Sequence, residues 1–409
     1  MTERPIVPLR ELSPGQRVGQ FEIIRLLNRG GQAHIYLARV PLDGAASLAT
    51  LEETLRRRMR AAAWQSFVAD QRICVLKVPF VDFADHLTDE YEYLRRASDP
   101  PPALVRLYAP PIDRARPSRE IPGPPAARFA DVNGALHQLP YLPLEYSAGG
   151  SLKDVLRSGQ PLPPGAAVAI ARQVGYALSY LHGVLNIVHH DVSPSNIVFR
   201  TPLDPTEARE PDCVLIDLAV AYHPARPTQR FRFGKEKYLP PESNTVAGSR
   251  LDYRVDTYSL GVVLLEMLLG ALPPTTDAVR QNRPRYLPVA PLLPRSSPEL
   301  CGIIDAMLQP DPARRPDMAT AVEWLGGVAE ARQPALLAQP GATPEVVNPG
   351  TNRVLLIGAA IMASLAALVA CGLLALLLIG STPPDPPATA VVVPRGTVVQ
   401  PTSTLAPAR

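Results

Sequence analysis

Cysteine is scarce: the 409 residues hold four, Cys74, Cys213, Cys301 and Cys371. They lie far apart, with no C-x-x-C pair and no histidine at metal-ligand spacing, so a disulfide scaffold or a zinc module is not expected. An excess of one charge is also lacking. The 41 basic and 38 acidic side chains are interspersed and leave a net charge of +3, which gives no nucleic-acid footprint. Met1 to Gln20 contains no apolar core, so no secretory signal is expected. Long apolar runs are rare. Leu260–Leu272 is short and contains Glu266, which suits a buried soluble helix. Val354–Gly380 carries no charge and exceeds the roughly 20 apolar residues that cross a bilayer, so one transmembrane helix is expected there.

Proline is abundant instead, at 48 residues, and clustered, which places loops and tails between packed segments. Residues 328–352 read as a flexible linker and 381–409 as a disordered, Pro-rich tail. The β-branched and apolar residues of Val18–Leu27 and Ile35–Val40 predict two strands around a glycine-containing turn. Between 41 and 71, Leu48, Leu51, Leu55 and Met59 recur at helical spacing beside Arg56, Arg57, Arg58 and Arg60. This predicts an inserted amphipathic helix, read as packed on a sheet edge, with a lipid- or partner-binding element as the alternative. Ile73–Pro79 reads as a strand, Phe83–Ala97 as a helix, 109–140 as a second, looped insertion, and Leu139–Tyr146 as a strand. A helical pattern over Ala166–His182 gives way to strand and loop up to Tyr222, then returns to about Leu325. The expected fold class is α+β: a small β-rich lobe, then a larger helical lobe, plus one C-terminal transmembrane helix.

The chemistry-bearing residues come in a fixed order. Asn28-Arg29-Gly30-Gly31-Gln32-Ala33-His34-Ile35-Tyr36 is followed by Cys74-Val75-Leu76-Lys77 and then by Glu90 in a helix. His189-His190-Asp191-Val192-Ser193-Pro194-Ser195-Asn196, Asp217-Leu218-Ala219 and Pro240-Pro241-Glu242 come next. Asp256 in Asp-Thr-Tyr-Ser-Leu-Gly and Asp311-Pro312-Ala313-Arg314-Arg315-Pro316 close the series. Together these closely resemble the bacterial branch of the eukaryotic-like Ser/Thr protein kinases, over about residues 18–327. A lone glycine-rich turn would say little; eight motifs in order, with fitting strand and helix context, are specific.

The resemblance implies the bilobal protein-kinase fold, with an N-lobe over about 18–146 and a C-lobe over about 147–327. It also implies ATP-dependent phosphorylation of Ser or Thr hydroxyls on proteins, where catalysis is mostly positioning and charge neutralisation. Lys77 would hold the α- and β-phosphates of ATP, and Glu90 would hold Lys77, with Glu92 as a competing candidate. Asp191 would be the catalytic base. Asp217 and Asn196 would bind Mg²⁺, with Mn²⁺ as an alternative ion, through hard oxygen donors. Asn28, Arg29, Gly30, Gly31, Gln32 and Ala33 would form the loop over the phosphates, and Glu145 and Tyr146 the hinge that pairs with adenine. Asp256 would organise the catalytic loop, and Glu242 would pair with Arg315.

Several positions depart from the family pattern. Asn28 and Ala33 stand where glycine is usual; Asn tolerates left-handed backbone, while the Ala33 methyl would cost nucleotide affinity. Ala219 replaces the glycine after the metal-binding aspartate. His190 replaces an arginine that normally receives an activation-loop phosphate, and a mostly neutral histidine is a weak substitute. Thr228 is the only Ser or Thr between Asp217 and Glu242, so activity independent of activation-loop phosphorylation is expected. Ser193 occupies the position of the catalytic-loop lysine, and Lys235 that of a threonine facing it. The two residue types look exchanged, so Lys235 is expected to supply the missing ammonium.

Two function classes follow: an active kinase, or a pseudokinase acting as a membrane-tethered nucleotide- or partner-binding module. Lys77, Glu90, Asp191, Asn196 and Asp217 are all present, which favours the enzyme. The expected partners are ATP, protein substrates and the lipid bilayer, without nucleic acid. Gly358 and Ser364 would permit helix pairing, which leaves a homodimer open. Because ATP is cytosolic, the kinase domain is expected on the cytoplasmic face of the cell membrane, in a single-pass arrangement, with the tail from about 381 outside.

Overall fold

The computed structural model describes residues 8–42, 47–56, 61–108, 124–204, 210–225, 235–244, 252–273 and 286–337. Its strands are Arg17–Val18 (β1), Phe21–Arg29 (β2), Ala33–Arg39 (β3), Ile73–Pro79 (β4), Ala126–Ala130 (β5), Leu136–Pro140 (β6), Leu142–Glu145 (β7), Ile197–Phe199 (β8) and Cys213–Leu215 (β9). An antiparallel sheet of order β1-β2-β3-β4-β7 carries the N-terminal lobe. Side chains alternate across it, as the strand period of two requires. Tyr36, Ala38, Cys74, Leu76 and Val78 join Phe21 and Ile23 in one apolar cluster, while Leu37, Ile73 and Ile24 belong to another.

That second cluster explains the insertion. The 41–71 segment forms two helices, Leu48–Arg56 (α1) and Ala61–Asp70 (α2), rather than one. The Ser47 hydroxyl caps α1 by accepting the Thr50 N–H at 3.2 Å. Leu51 is fully buried against Ile24, Leu37 and Ile73, with Leu48, Leu55, Phe67 and Val68 packed around it. The apolar stripe of α1 is thus spent on the protein's own core and not offered to a bilayer. Met59, Arg57, Arg58 and Arg60 lie outside the described residues. Leu51→Ala is expected to lower stability by about 3 kcal/mol through lost burial and a cavity. Chemical denaturation measures it, and an unchanged midpoint would show the stripe free to bind elsewhere.

Three expectations are corrected here. The 109–140 segment is not loop throughout: β5 and β6 form a hairpin, closed by Asp131 Oδ1 accepting the N–H groups of Asn133 (2.8 Å) and Ala135 (3.0 Å). The ordered chain starts before residue 18, because Leu9 is buried in the lobe core and Arg10 N–H donates to Ala130 C=O at 2.8 Å. The expected linker over 328–352 begins in helix, since the last helix runs through Leu337.

Ala84–Arg96 (α3) packs beside the sheet and turns Leu87, Glu90 and Leu94 inward, at three- and four-residue spacing. Leu152–Leu156 (α4) opens the second lobe behind a capping box of Ser151 and Asp154. Pro164–Tyr180 (α5), Arg254–Leu269 (α6), Pro298–Met307 (α7) and Met318–Leu337 (α8) share one large core. α6 is buried on every side from Val255 to Leu268, with Gly270 just beyond its end at φ 80°. The run Leu260–Leu272 is largely this helix, as its length implied. Among the described residues no helix is long and apolar enough to cross a membrane. The expected span, Val354–Gly380, lies outside them, as do most of the linker and the whole 381–409 tail.

Candidate active site

The hairpin of β8 and β9 sets the site. Its register pairs Ile197 with Leu215, so Asn196, just before one strand, and Asp217, just after the other, emerge at the same end. The Ile216 N–H donates to Asn196 C=O at 2.9 Å and closes that end. The Asn196 side-chain NH₂ donates to both the Asp191 C=O and Asp191 Oδ2 at 2.8 Å. Its Oδ1 then remains as a hard donor. Asp217 sits at φ 72° and His190 at φ 65°, a left-handed conformation that ordinary side chains avoid.

Asp256 holds this backbone. Fully buried at the start of α6, it accepts the N–H of His189 on Oδ2 and that of His190 on Oδ1, both at 2.8 Å. His182 Nε2 lies 2.9 Å from the same Oδ2. Burial alone would raise this carboxyl; the hydrogen bonds from His182 and the His189 backbone outweigh it and hold it below the usual range. His189 Nδ1 accepts the Asp191 N–H at 3.2 Å, while Nε2 faces the Ile216 C=O at 3.2 Å. That pairing assigns the ring proton to Nε2.

Lys77 projects from β4 between two carboxylates. Its Nζ lies 2.7 Å from Glu90 Oε2 and 2.6 Å from Asp217 Oδ1. Burial opposes the ammonium charge, but Asp217 and Glu90 together raise Lys77 above its ordinary value. Burial likewise pushes the Asp217 carboxyl up, and Lys77 overrides this to hold it down at about 2. Glu90, with no exposure at all, is pushed up by burial despite Lys77 and the Leu218 N–H at 2.9 Å. The competing candidate Glu92 is half-buried and pairs with Arg95 at 2.8 Å, within its own helix. Helix α3 therefore presents Glu90, not Glu92, to Lys77.

The glycine-rich turn is tight. Gly30 N–H donates to Ala33 C=O at 2.9 Å, and a β-carbon on Gly30 would fall 2.9 Å from that same oxygen. Asn28 and Ala33 lie in strands, with no left-handed backbone at either, so the tolerance of Asn for that conformation is not used. Ala33 is buried in the sheet. Gln32 C=O accepts the Phe80 N–H at 2.8 Å, Gly31 is exposed, and exposed Arg29 pairs with Glu11, Nη2 to Oε2 at 3.1 Å. At the far end of the cleft, Glu145 closes β7 and Tyr146 packs near the Leu51 cluster.

Lys235 reaches the catalytic loop from the segment before Glu242. Its Nζ lies 2.7 Å from Asp191 Oδ2. His190 departs furthest from a phosphate-binding role. It is fully buried, edge-on to Tyr222, and burial lowers its pKa, which disfavours a charged ring. Among the described residues neither of its ring nitrogens has a partner. Thr228 lies outside the described residues. Thr228→Ala is expected to keep phosphate transfer within about threefold of wild type, because no charged receiver at residue 190 awaits its phosphate. A tenfold or larger loss in a steady-state assay would contradict this.

Three site residues escaped sequence reasoning. His182 steadies Asp256, and Glu266 anchors Lys237 (2.6 Å) and the Tyr238 hydroxyl (2.8 Å). Arg200 ties Glu145 (3.2 Å) to Asp212 (2.8 Å). A polar residue inside an otherwise apolar helix was the only signal, and it applies to Glu266. The expected pair does form: Arg315, with no side-chain exposure, makes a two-pronged contact with Glu242, at 2.5 and 2.8 Å.

A buried lysine flanked by two carboxylates, an aspartate–asparagine pair at a hairpin end and a second aspartate on a braced loop are thus brought together. Residues 120–324, half of the 409-residue chain, match the protein kinase domain family, and the chain belongs to that family. The match starts after Lys77 and Glu90, whose placement here comes from the geometry. The chain is 33% identical over 196 residues to serine/threonine-protein kinase pkn3 of Myxococcus xanthus, covering 44% of this chain and 34% of the relative. It is 32% identical over 183 residues to human serine/threonine-protein kinase ULK3, covering 43% and 36%. With serine/threonine-protein kinase PknB of Mycobacterium leprae the identity is 29% over 221 residues, covering 53% and 34%. The matched region thus spans only about a third of the length of these relatives.

Proposed function

We propose that this protein transfers the γ-phosphoryl group of ATP to Ser or Thr hydroxyls of protein substrates. The observation that carries the reading is Lys77, held at 2.7 Å from Glu90 and 2.6 Å from Asp217. Such a bridge ties the sheet, α3 and the metal-binding aspartate into one rigid constellation. Asp191 would take the proton of the acceptor hydroxyl, with its orientation set by Asn196 and the braced loop. The turn from Asn28 to Ala33 would cover the phosphates, and the backbone of Glu145 and Tyr146 would meet adenine.

The donor set fits a hard divalent cation. Among the described residues no cluster of three or more His, Cys, Asp or Glu could hold a metal alone. Asn196 Oδ1 and the carboxylate of Asp217 would supply two oxygens, as Mg²⁺ prefers when substrate phosphates complete its shell, and Mn²⁺ could replace it. When bound, the ion neutralises phosphate charge.

The apolar length of Val354–Gly380 supports a single membrane span, with the kinase domain on the ATP-containing, cytoplasmic side and a role in membrane-associated signalling. Membrane fractionation with protease protection tests the topology: a tail cleaved from outside is expected, and a soluble full chain would overturn the span.

The direct test of activity is transfer of labelled γ-phosphate by the full chain to itself and to a generic protein, with Mg²⁺ and Mn²⁺ in separate reactions. Transfer lost in Asp191→Ala supports the reading. A folded protein that binds nucleotide without transfer would be a pseudokinase, a recruiting module with the same fold.

A further inference from the structure

The kinase reading leaves one charge unassigned. Lys77 is already shared by Glu90 and Asp217, on the side of the cleft where the α- and β-phosphates would lie. The transferring γ-phosphoryl must approach the hydroxyl held at Asp191, and negative charge spreads over its oxygens as it moves. On the loop itself, Ser193 is fully buried and its hydroxyl lies 3.2 Å from that of Ser195, so it offers no cation.

Lys235 comes from a separate segment, the turn before Glu242. Its Nζ lies 2.7 Å from Asp191 Oδ2, and its backbone N–H donates to Asp191 Oδ1 at 3.2 Å. The turn that carries it is pinned. Tyr238 N–H donates to Lys235 C=O at 2.8 Å, while the Tyr238 hydroxyl (2.8 Å) and Lys237 Nζ (2.6 Å) both donate to Glu266. Glu266 is buried on α6, the helix that also carries Asp256. The ammonium and the acceptor-side aspartate therefore take their positions from one rigid helix. The Lys235 side chain stays 43% exposed, which leaves its ammonium reachable by an entering phosphate.

We infer that Lys235 is the catalytic cation for the γ-phosphoryl group, delivered by the 235–238 turn, with Glu266 as its positioning residue. In the step it serves, the substrate hydroxyl oxygen forms the new O–P bond and its proton passes to the Asp191 carboxylate. The bond from phosphorus to the bridging β,γ-oxygen breaks, and its electron pair leaves with ADP. Lys235 makes and breaks no bond. It offsets charge on the γ-oxygens, and it does so only while the turn is seated, so the cation and the segment form one element.

The test uses the full chain, with Lys235→Met and Lys235→Arg, in two measurements. In steady-state transfer, Lys235→Met is expected to lower kcat about 10²-fold with KM for ATP changed less than about threefold. Lys235→Arg should regain at least about tenfold, since charge returns without the compact ammonium. In equilibrium binding with Mg²⁺, wild type should prefer a non-hydrolysable ATP analogue over ADP, and Lys235→Met should lose that preference. Wild-type kcat in Lys235→Met, or a loss confined to KM, would overturn the assignment. If wild type transfers no phosphate, the kinase reading fails and binding alone decides: an unchanged analogue-to-ADP ratio in Lys235→Met refutes the contact, and its loss upholds it.

Discussion

Replacing Lys77 with methionine is expected to lower phosphate transfer by about 10³-fold or more, the upper range for losing one preorganised charge in such a site. The reason lies in what remains. Glu90 has no exposure, and without the ammonium it and Asp217 become two carboxylates facing each other with no cation between them. Removing one partner of a buried ion pair costs about 3–5 kcal/mol, because the other charge stays buried and uncompensated. Glu90 escapes by binding a proton, and burial already pushes its pKa in that direction. The variant should therefore lose activity at every pH and also melt earlier. Lys77→Arg should not rescue it: a planar fork does not fit a point-charge site between two carboxylates. Transfer rates and thermal melting of both variants check this, and a Lys77→Met protein with a rate within tenfold of wild type would sink it.

Asp256→Ala is expected to cost about 3–5 kcal/mol of stability and to remove most transfer activity. The substitution orphans the N–H groups of His189 and His190 in a fully buried position and takes the partner of His182. Each unsatisfied buried donor costs about 1–3 kcal/mol. His190 suffers most, because its left-handed backbone is held only while its surroundings fix it. Asp191 follows directly in the chain, so the loop should lose its geometry even where the fold survives. Asp256→Asn keeps one acceptor oxygen and should fall between the two. Denaturant midpoints rank the three proteins, and equal midpoints for wild type and Asp256→Ala would contradict the bracing role.

Much of the site was legible through the resemblance, which ties residue types to their places in the ordered motifs. Lys77, Glu90, Asp191, Asn196 and Asp217 stand at those motif positions; Lys77 pairs with Glu90 and Asp217, and Asn196 with Asp191. The exchange of residue types at Ser193 and Lys235 was readable as well, and the structure adds the contact of Lys235 with Asp191. Other parts were not. The hairpin of β5 and β6 lies in a Pro-rich stretch that reads as loop; Asn133-Gly134 was its one local signal, a pair suited to tight hairpin turns. The packing of Leu9 depends on a partner strand over a hundred residues away, which no window of sequence can register. The anchoring of Glu145 by Arg200 is of the same kind: a long-range pair between a strand end and a loop. The two-helix form of the insertion was obscured because one helical stripe spans it, while its apolar residues proved to belong to the sheet's own core.

If this site phosphorylates Ser or Thr hydroxyls, the residue that receives the phosphate reveals it. A protein acceptor incubated with the full chain, ATP and Mg²⁺ would be mapped by mass spectrometry beside an identical reaction with Asp191→Asn. Phosphoserine or phosphothreonine is expected in the first and neither in the second. Phosphate on tyrosine alone, no phosphate from a folded wild-type chain, or the same sites from Asp191→Asn would contradict it.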